Sequence, residues 1–114
     1  MGVNEKGSGS MRWAKNLYTT KKTKKELPRI IHKIRTRRIQ PGIWIITLAS
    51  NEHNLLDMFQ GMYYIQPMLQ RMNPDIVGIA ENQDAAKEMI VKIMEDVYQK
   101  QRNFDMKSYF EFRE

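Results

Sequence analysis

The residues of this 114-residue chain whose types could do chemistry fall into three groups. The first is polar and follows two apolar runs: Ser50-Asn51-Glu52-His53-Asn54 comes after residues 43–49, and Glu81-Asn82-Gln83-Asp84 comes after residues 76–80. Carboxylates beside one imidazole can hold a divalent ion or pass a proton, which makes Glu52, His53, Glu81 and Asp84 the acid/base or metal candidates. If the two runs are strands pointing the same way, their carboxyl ends share one edge, where ligands collect in open sheets. Ser50, Asn51, Glu52, His53, Glu81 and Asn82 are then the pocket candidates. A plainer reading competes, since loops after strands are polar because they are solvated, and Asn82 and Asp84 suit a helix N-terminus. No catalytic residue, metal centre or cofactor is assigned on these grounds. A phosphate loop at Gly78-Ile79-Ala80-Glu81-Asn82 is rejected: it lacks clustered glycines and a lysine, and Glu81 and Asp84 would repel phosphate. His32 alternates with Ile30 and Ile34 and reads as a strand residue at a core margin.

The second group is basic. Residues 1–40 hold twelve Lys/Arg against Glu5 and Glu26, and residues 41–114 hold seven against eleven acids, so +10 is followed by −4, giving the net +6. A basic arm on a mildly acidic body points to a polyanion, or to the protein's own acidic face, as its target. Lys21, Lys22, Lys24, Lys25, Arg29, Lys33, Arg35, Arg37 and Arg38 are the nucleic-acid-binding candidates, with Trp13 and Tyr18 available to stack on bases. The competing reading is an edge-strand defence at Lys33, Arg35 and Arg37 beside a solvated lysine tail. The third group is rich in methionine. From Met58 to Met72, apolar side chains run around a helix, which suits either core packing or a homo-oligomer face.

These groups need elements to hold them. Residues 1–10 read as a flexible leader or the remnant of an added segment, with Met11 the alternative start. Trp13 with Leu17, and Ala14 with Tyr18, are spaced i,i+4 and predict one or two helical turns. Residues 30–37 alternate and predict a strand with one wet face, turned by Pro41-Gly42 into the two-sided apolar strand 43–49. From Leu55 to Met72 the spacing turns helical but is interrupted by Gly61 and Pro67, which predicts a kinked helix, or a loop plus a shorter helix over Gly61 to Met72. Residues 76–80 predict a short buried strand. Residues 83–101 predict a long helix with Ala85, Ala86, Met89, Ile90, Ile93, Val97 and Tyr98 inward and Lys87, Glu88, Lys92, Glu95 and Asp96 outward. Residues 108–112 predict an added strand or docking tail. The first two strands should form an antiparallel hairpin, and the second and third a right-handed parallel crossover.

The chain has no cysteine, which removes disulfides, thiolate nucleophiles and Cys-type zinc sites and fits a reducing, cytoplasmic compartment. The apolar run 43–49 is far short of the ~18 residues that span a bilayer, so no membrane partner is expected. The segments Ile45-Ile46-Thr47-Leu48-Ala49-Ser50-Asn51, Asn54-Leu55-Leu56-Asp57 and Ile76-Val77-Gly78-Ile79-Ala80 resemble those of short uncharacterised bacterial proteins; the resemblance implies a bacterial cytoplasmic origin and carries over no site. The fold class read from the sequence is α+β, a small mixed sheet in the order strand-strand-helix-strand-helix with a long C-terminal amphipathic helix. Residues 1–26 are expected to be a flexible basic arm and residues 27–114 a single domain. The preferred function is a non-enzymatic accessory or interaction module acting through surface contacts, the alternative is nonspecific nucleic-acid binding through the arm and first strand, and a small-molecule or metal site ranks third.

Overall fold

A strand that is apolar on both faces needs cover on both sides. Such a strand, β4 (Asp75–Ala80), occupies the middle of the sheet in the computed structural model, which describes residues 12–36, 38, 42–49, 55–61 and 75–113. Along the chain come β1 (Arg12–Thr19), α1 (Lys21–Lys25), α2 (Leu27–Arg35), β2 (Trp44–Leu48), β3 (Leu56–Gln60), β4, α3 (Gln83–Gln101), α4 (Met106–Tyr109) and β5 (Phe112–Arg113). The sheet order is β3-β2-β4-β1-β5. β1 runs parallel to β4, while β2–β4, β2–β3 and β1–β5 are antiparallel. This is an α+β fold with a mixed sheet and a long C-terminal helix, as the sequence predicts.

Two cores lie on the two faces. Ile30 and Ile34 of α2 pack with Trp13, Ile45, Ile76 and Ile79. Ala86, Met89, Ile93 and Val97 of α3, with Met106 and Phe110, pack against Ala14, Ile46, Val77 and Ala80. The strands alternate between these clusters, so the helices form layers on opposite sides of the sheet. Asn82 starts α3 by accepting a 2.7 Å hydrogen bond from the Ala85 N–H, and Arg102 ends it in the left-handed region at φ 60°. The bounds of α3 match the expectation from sequence, although Tyr98 lies outward against Phe104 and Asp96 is half-buried.

Several expected elements are replaced. Residues 12–19 form a strand and not a helical turn; a spacing of four is twice the strand period as well as close to the helical one, so Ala14 and Tyr18 share a face either way. The strand expected at 30–37 is the helix α2. Leu27, Ile30, Ile31 and Ile34 follow i, i+3, i+4, i+7, and Ile31, which alternation would place in water, is half-buried against the core. Consequently β2 takes its hairpin partner from β3, where a kinked helix from Leu55, or a loop leading to a shorter helix, was expected. The second and third expected strands, β2 and β4, are antiparallel and not a parallel crossover. The expected boundary at Leu27 falls between α1 and α2, with β1 already seated between β4 and β5. The helix expected over 62–72 lies outside the described residues.

One irregularity fixes the centre. Ile46 pairs with Gly78 and Thr47 with Ile76, so one step on β2 spans two on β4. On the other side, Trp13 pairs with Ile76 and Tyr18 with Gly78. This bulge turns both Val77 and Gly78 toward α3. A Cβ on Gly78 would lie 2.7 Å from Met89 Sδ and 3.4 Å from Ile46 Cδ1. Gly78→Ala should therefore lower stability by about 1–3 kcal/mol, the usual range for an overpacked core. In a Met89→Ala background most of that penalty should disappear when both pairs are compared by chemical denaturation. An equal penalty in both backgrounds would acquit Met89.

Candidate nucleic-acid interface

The basic candidates are gathered by two short helices. Thr20 caps α1: its hydroxyl accepts from the Thr23 N–H at 3.2 Å, and Thr23 Oγ1 accepts from the Thr20 N–H at 2.9 Å. The Thr23 hydroxyl, 1% exposed, then donates to the Ile79 carbonyl at 2.9 Å, which ties α1 to the carboxyl end of β4. Pro28 stands in the first turn of α2, where its missing N–H has no helical partner to lose. With Ile30 and Ile34 turned to the sheet, α2 leaves Arg29, His32, Lys33 and Arg35 on its outer side.

The resulting layer is strongly one-signed. Residues 21–36 hold seven Lys/Arg (Lys21, Lys22, Lys24, Lys25, Arg29, Lys33, Arg35) against Glu26, +6 by subtraction. Arg29 forms an ion pair with Glu26. Across the sheet, residues 83–101 hold Lys87, Lys92 and Lys100 against Asp84, Glu88, Glu95 and Asp96, or −1. Arg38 is exposed and closes the layer, its N–H bonded to the Lys33 carbonyl at 2.9 Å. Arg37 lies outside the described residues. The candidates thus lie mainly on helices, not on a first strand, and an edge-strand role for Lys33 and Arg35 falls away with that strand. His32, exposed on α2, is not at a core margin.

The expected stacking partners are not there. Trp13 is 5% exposed beneath α2, with the Arg35 guanidinium 6.0 Å from its ring centre. Tyr18 faces the α3 layer, where its hydroxyl donates to Asp96 Oδ2 at 2.6 Å and lies 3.2 Å from the Tyr109 hydroxyl. Lys92 Nζ meets Asp96 Oδ1 at 3.0 Å. Sequence reading missed this cluster, whose members lie as far as 91 positions apart. Burial and the hydrogen bonds with Asp96 and Tyr109 push the Tyr18 phenol well above its ordinary range. Burial opposes ionisation of Asp96, but hydrogen bonds from Tyr18 and Lys92 outweigh it and hold the carboxyl below its usual range; the contact with Asp96 raises Lys92. A phenol held protonated against a carboxylate held ionised ties β1, α3 and α4 together.

The pocket candidates separate. Because β2 and β4 are antiparallel, their carboxyl ends lie at opposite edges of the sheet, and the shared edge expected of them does not exist. Ser50, Asn51, Glu52 and His53 lie outside the described residues. Asn82 is occupied as the cap of α3. Glu81 lines a cavity of about 240 Å³ against the α1–α2 layer. Among the described residues no cluster of His, Asp or Glu could hold a metal ion, and no helix is long and apolar enough to cross a membrane. Met58 and Phe59 of the proposed oligomer face pack against the two cores from β3; residues 62–72 of that face are outside the described residues.

Asp96 supplies a test. Its folded pKa is lowered, so its contribution is present above the unfolded carboxylate value, about 3.9, and is lost as pH falls through the folded value. Asp96→Asn should cost about 1–2 kcal/mol near pH 6 through the weakened bonds to Tyr18 and Lys92. The gap to the parent should narrow below about pH 4, measured by chemical denaturation at pH 6 and pH 3. A gap of the same size at both would deny the carboxylate charge any part. Compared with protein-family models, curated proteins and solved structures, the chain matches none.

Proposed function

We propose that this protein is a non-enzymatic accessory module of the bacterial cytoplasm whose α1–α2 layer grips the phosphate backbone of nucleic acid. The observation that carries this reading is the +6 layer itself: seven Lys/Arg on two adjoining helices, with Glu26 as the acid among them. Lys and Arg are fixed cations at neutral pH, suited to attracting a polyanion and not to moving protons. Their attraction is sequence-independent and works through release of condensed counterions. The absence of cysteine supports a reducing compartment.

Helices also suit the task mechanically. The buried Thr23 and the Ile30–Ile34 stripe hold α1 and α2 against the sheet, so the cations are presented on a fixed base and lose less freedom on binding. Lys22, Lys24 and Lys25 sit in the last turn of α1, where the helix dipole favours positive charge.

Fluorescence anisotropy of a labelled duplex DNA across a salt series tests the reading. The logarithm of the binding constant should fall linearly with log salt, with a slope of about −0.9 for each phosphate neutralised. Lys21→Gln, Lys24→Gln and Arg35→Gln should each reduce that slope by roughly one, uniformly across sequences. Lys87→Gln and Lys107→Gln, on the other side of the sheet, should leave it unchanged. Equal effects from both faces, or no binding at low salt, would refute the interface.

A further inference from the structure

We infer that the outer face of α3 is the interface of a two-fold homodimer, in which two α3 helices pack antiparallel about Val91. Four large apolar side chains are exposed among the described residues, and three of them lie on α3 or just past its end. Val91 is 55% exposed, and Tyr98 and Phe104 stack on each other with ring centres 5.2 Å apart. Ile90 and Met94 are half-buried beside them. Helical spacing makes these side chains one patch, since 90, 94 and 98 follow i, i+4, i+8 while 91, 94 and 98 follow i, i+3, i+7. Ala86, Met89, Ile93 and Val97 hold α3 to the sheet, and Val91 stands in water on the side away from it. An apolar patch rimmed by charges marks a place where another surface sits.

The charges select a second copy of the chain as that surface. A two-fold axis through the most exposed apolar residue, Val91, sets each position before it on one helix opposite the equally distant position after it on the other. Lys87 then faces Glu95 of the second copy, and Glu95 faces its Lys87, so two ion pairs flank the central valines. Asp84 faces Tyr98, beside which stands Arg102 with its guanidinium 6.0 Å from the ring centre. Glu88 faces Met94 and Lys92 faces Ile90, so no opposed pair carries like charges. An unlike partner would require no relation between the two halves of α3, whereas pairing with itself requires them to complement each other, as they do. Asp84, Lys87 and Glu95 form no ion pair with another described residue. The lysine that the pairing does not call on, Lys92, is the one already bound within the chain, to Asp96.

The α3 helix has 19 residues, about 28 Å at 1.5 Å per residue, so the contact runs for some five turns. Helices crossing at about 20° keep such a stripe in contact along its length. The apolar patch supplies the affinity, because ion pairs at an exposed rim fix orientation and register more than they add strength. The pairing also places the rest of the molecule. The α1–α2 layer packs on the face of the sheet opposite α3, so a dimer closed through α3 carries its two basic layers on its two outer sides. On the nucleic-acid reading above, such a dimer bridges two segments of nucleic acid, the first contact raising the effective concentration of the second. The bridging rests on that reading; the dimer does not.

Sedimentation equilibrium of the full chain should carry the apparent mass from 13.6 kDa toward twice that value as concentration rises. Val91→Lys should hold it at the monomer mass with an unchanged melting temperature, because the side chain is exposed in the monomer. Lys87→Glu should weaken dimerisation on the order of tenfold by facing Glu95 with a like charge, and adding Glu95→Lys to the same chain should restore it. The chain has no cysteine, so Val91→Cys can oxidise only with its own copy. A disulfide-linked dimer is expected from it, and none from Lys24→Cys on the opposite side of the sheet. A monomer at every concentration, or a dimer that both Val91→Lys and Lys87→Glu leave intact, overturns the inference. Bridging is read by energy transfer between donor-labelled and acceptor-labelled DNA duplexes. The parent should bring the two together, while Val91→Lys should bind one duplex and recruit no second. A dimer that obeys these variants but binds no DNA keeps the α3 interface and overturns the nucleic-acid reading; a chain that binds DNA and stays monomeric does the reverse.

Discussion

The cover that β4 needs on both faces organises everything else. Val77 and Ala80 face one core, Ile76 and Ile79 the other, and all four are 0% exposed. A strand so placed cannot sit at an edge and cannot leave one face to solvent. The chain supplies one long helix to one side, with α4 at its end, and two short helices to the other. At the bulge beside Val77, the missing Cβ of Gly78 leaves the space that the Met89 side chain fills. The two helix layers are thus consequences of one strand, and what each layer shows to solvent is decided by the residues left over after packing.

What is left over differs in kind. On α3, four acids and three lysines alternate along the helix, the mixture that keeps an exposed helix soluble at little electrostatic cost. On α1 and α2 the residues not needed for packing are almost all cations. The α1 helix has five residues and would not persist alone. It survives through Thr20 and Thr23, one of which reaches the Ile79 carbonyl. A small polar side chain on a lysine-rich segment therefore holds that segment to the sheet.

The legible parts of the fold were those in which one period fits and the other does not. Residues 83–101 sustain the helical spacing over five turns, and residues 75–80 are too short and too apolar for anything but an inner strand. Residues 12–19 and 30–35 were misread because a spacing of four, as in Ala14 and Tyr18 or Ile30 and Ile34, satisfies both periods, and residues 55–60 because Leu55 and Met58 were joined to apolar positions beyond Gly61 in one helical seam. In α2 the deciding residue was Ile31, apolar where alternation demands polar. The basic site was legible as composition, since charge is additive along a chain, but its geometry was not, because the layer exists only once α2 is recognised as a helix. The rule that ligands gather at strand ends joined Glu81 to residues 50–53, but β2 and β4 are antiparallel and their carboxyl ends lie at opposite edges of the sheet. The Tyr18–Asp96–Tyr109 cluster carried no local signal: three elements bring it together, and neither spacing nor composition hints at it.

Two features of the α1–α2 side are unfavourable for an isolated protein, and they coincide. Like charges packed on one layer repel, and +6 over sixteen residues, even with Glu26 paired to Arg29, works against the compact state. An enclosed carboxylate oxygen with no donor is a second cost, at the end of β4 beside the same helices. Solubility requires neither, because interspersed charges of both signs, as on α3, serve it as well. Folding explains neither, because Ile30, Ile34 and Thr23 do the packing and could do it beneath a neutral surface.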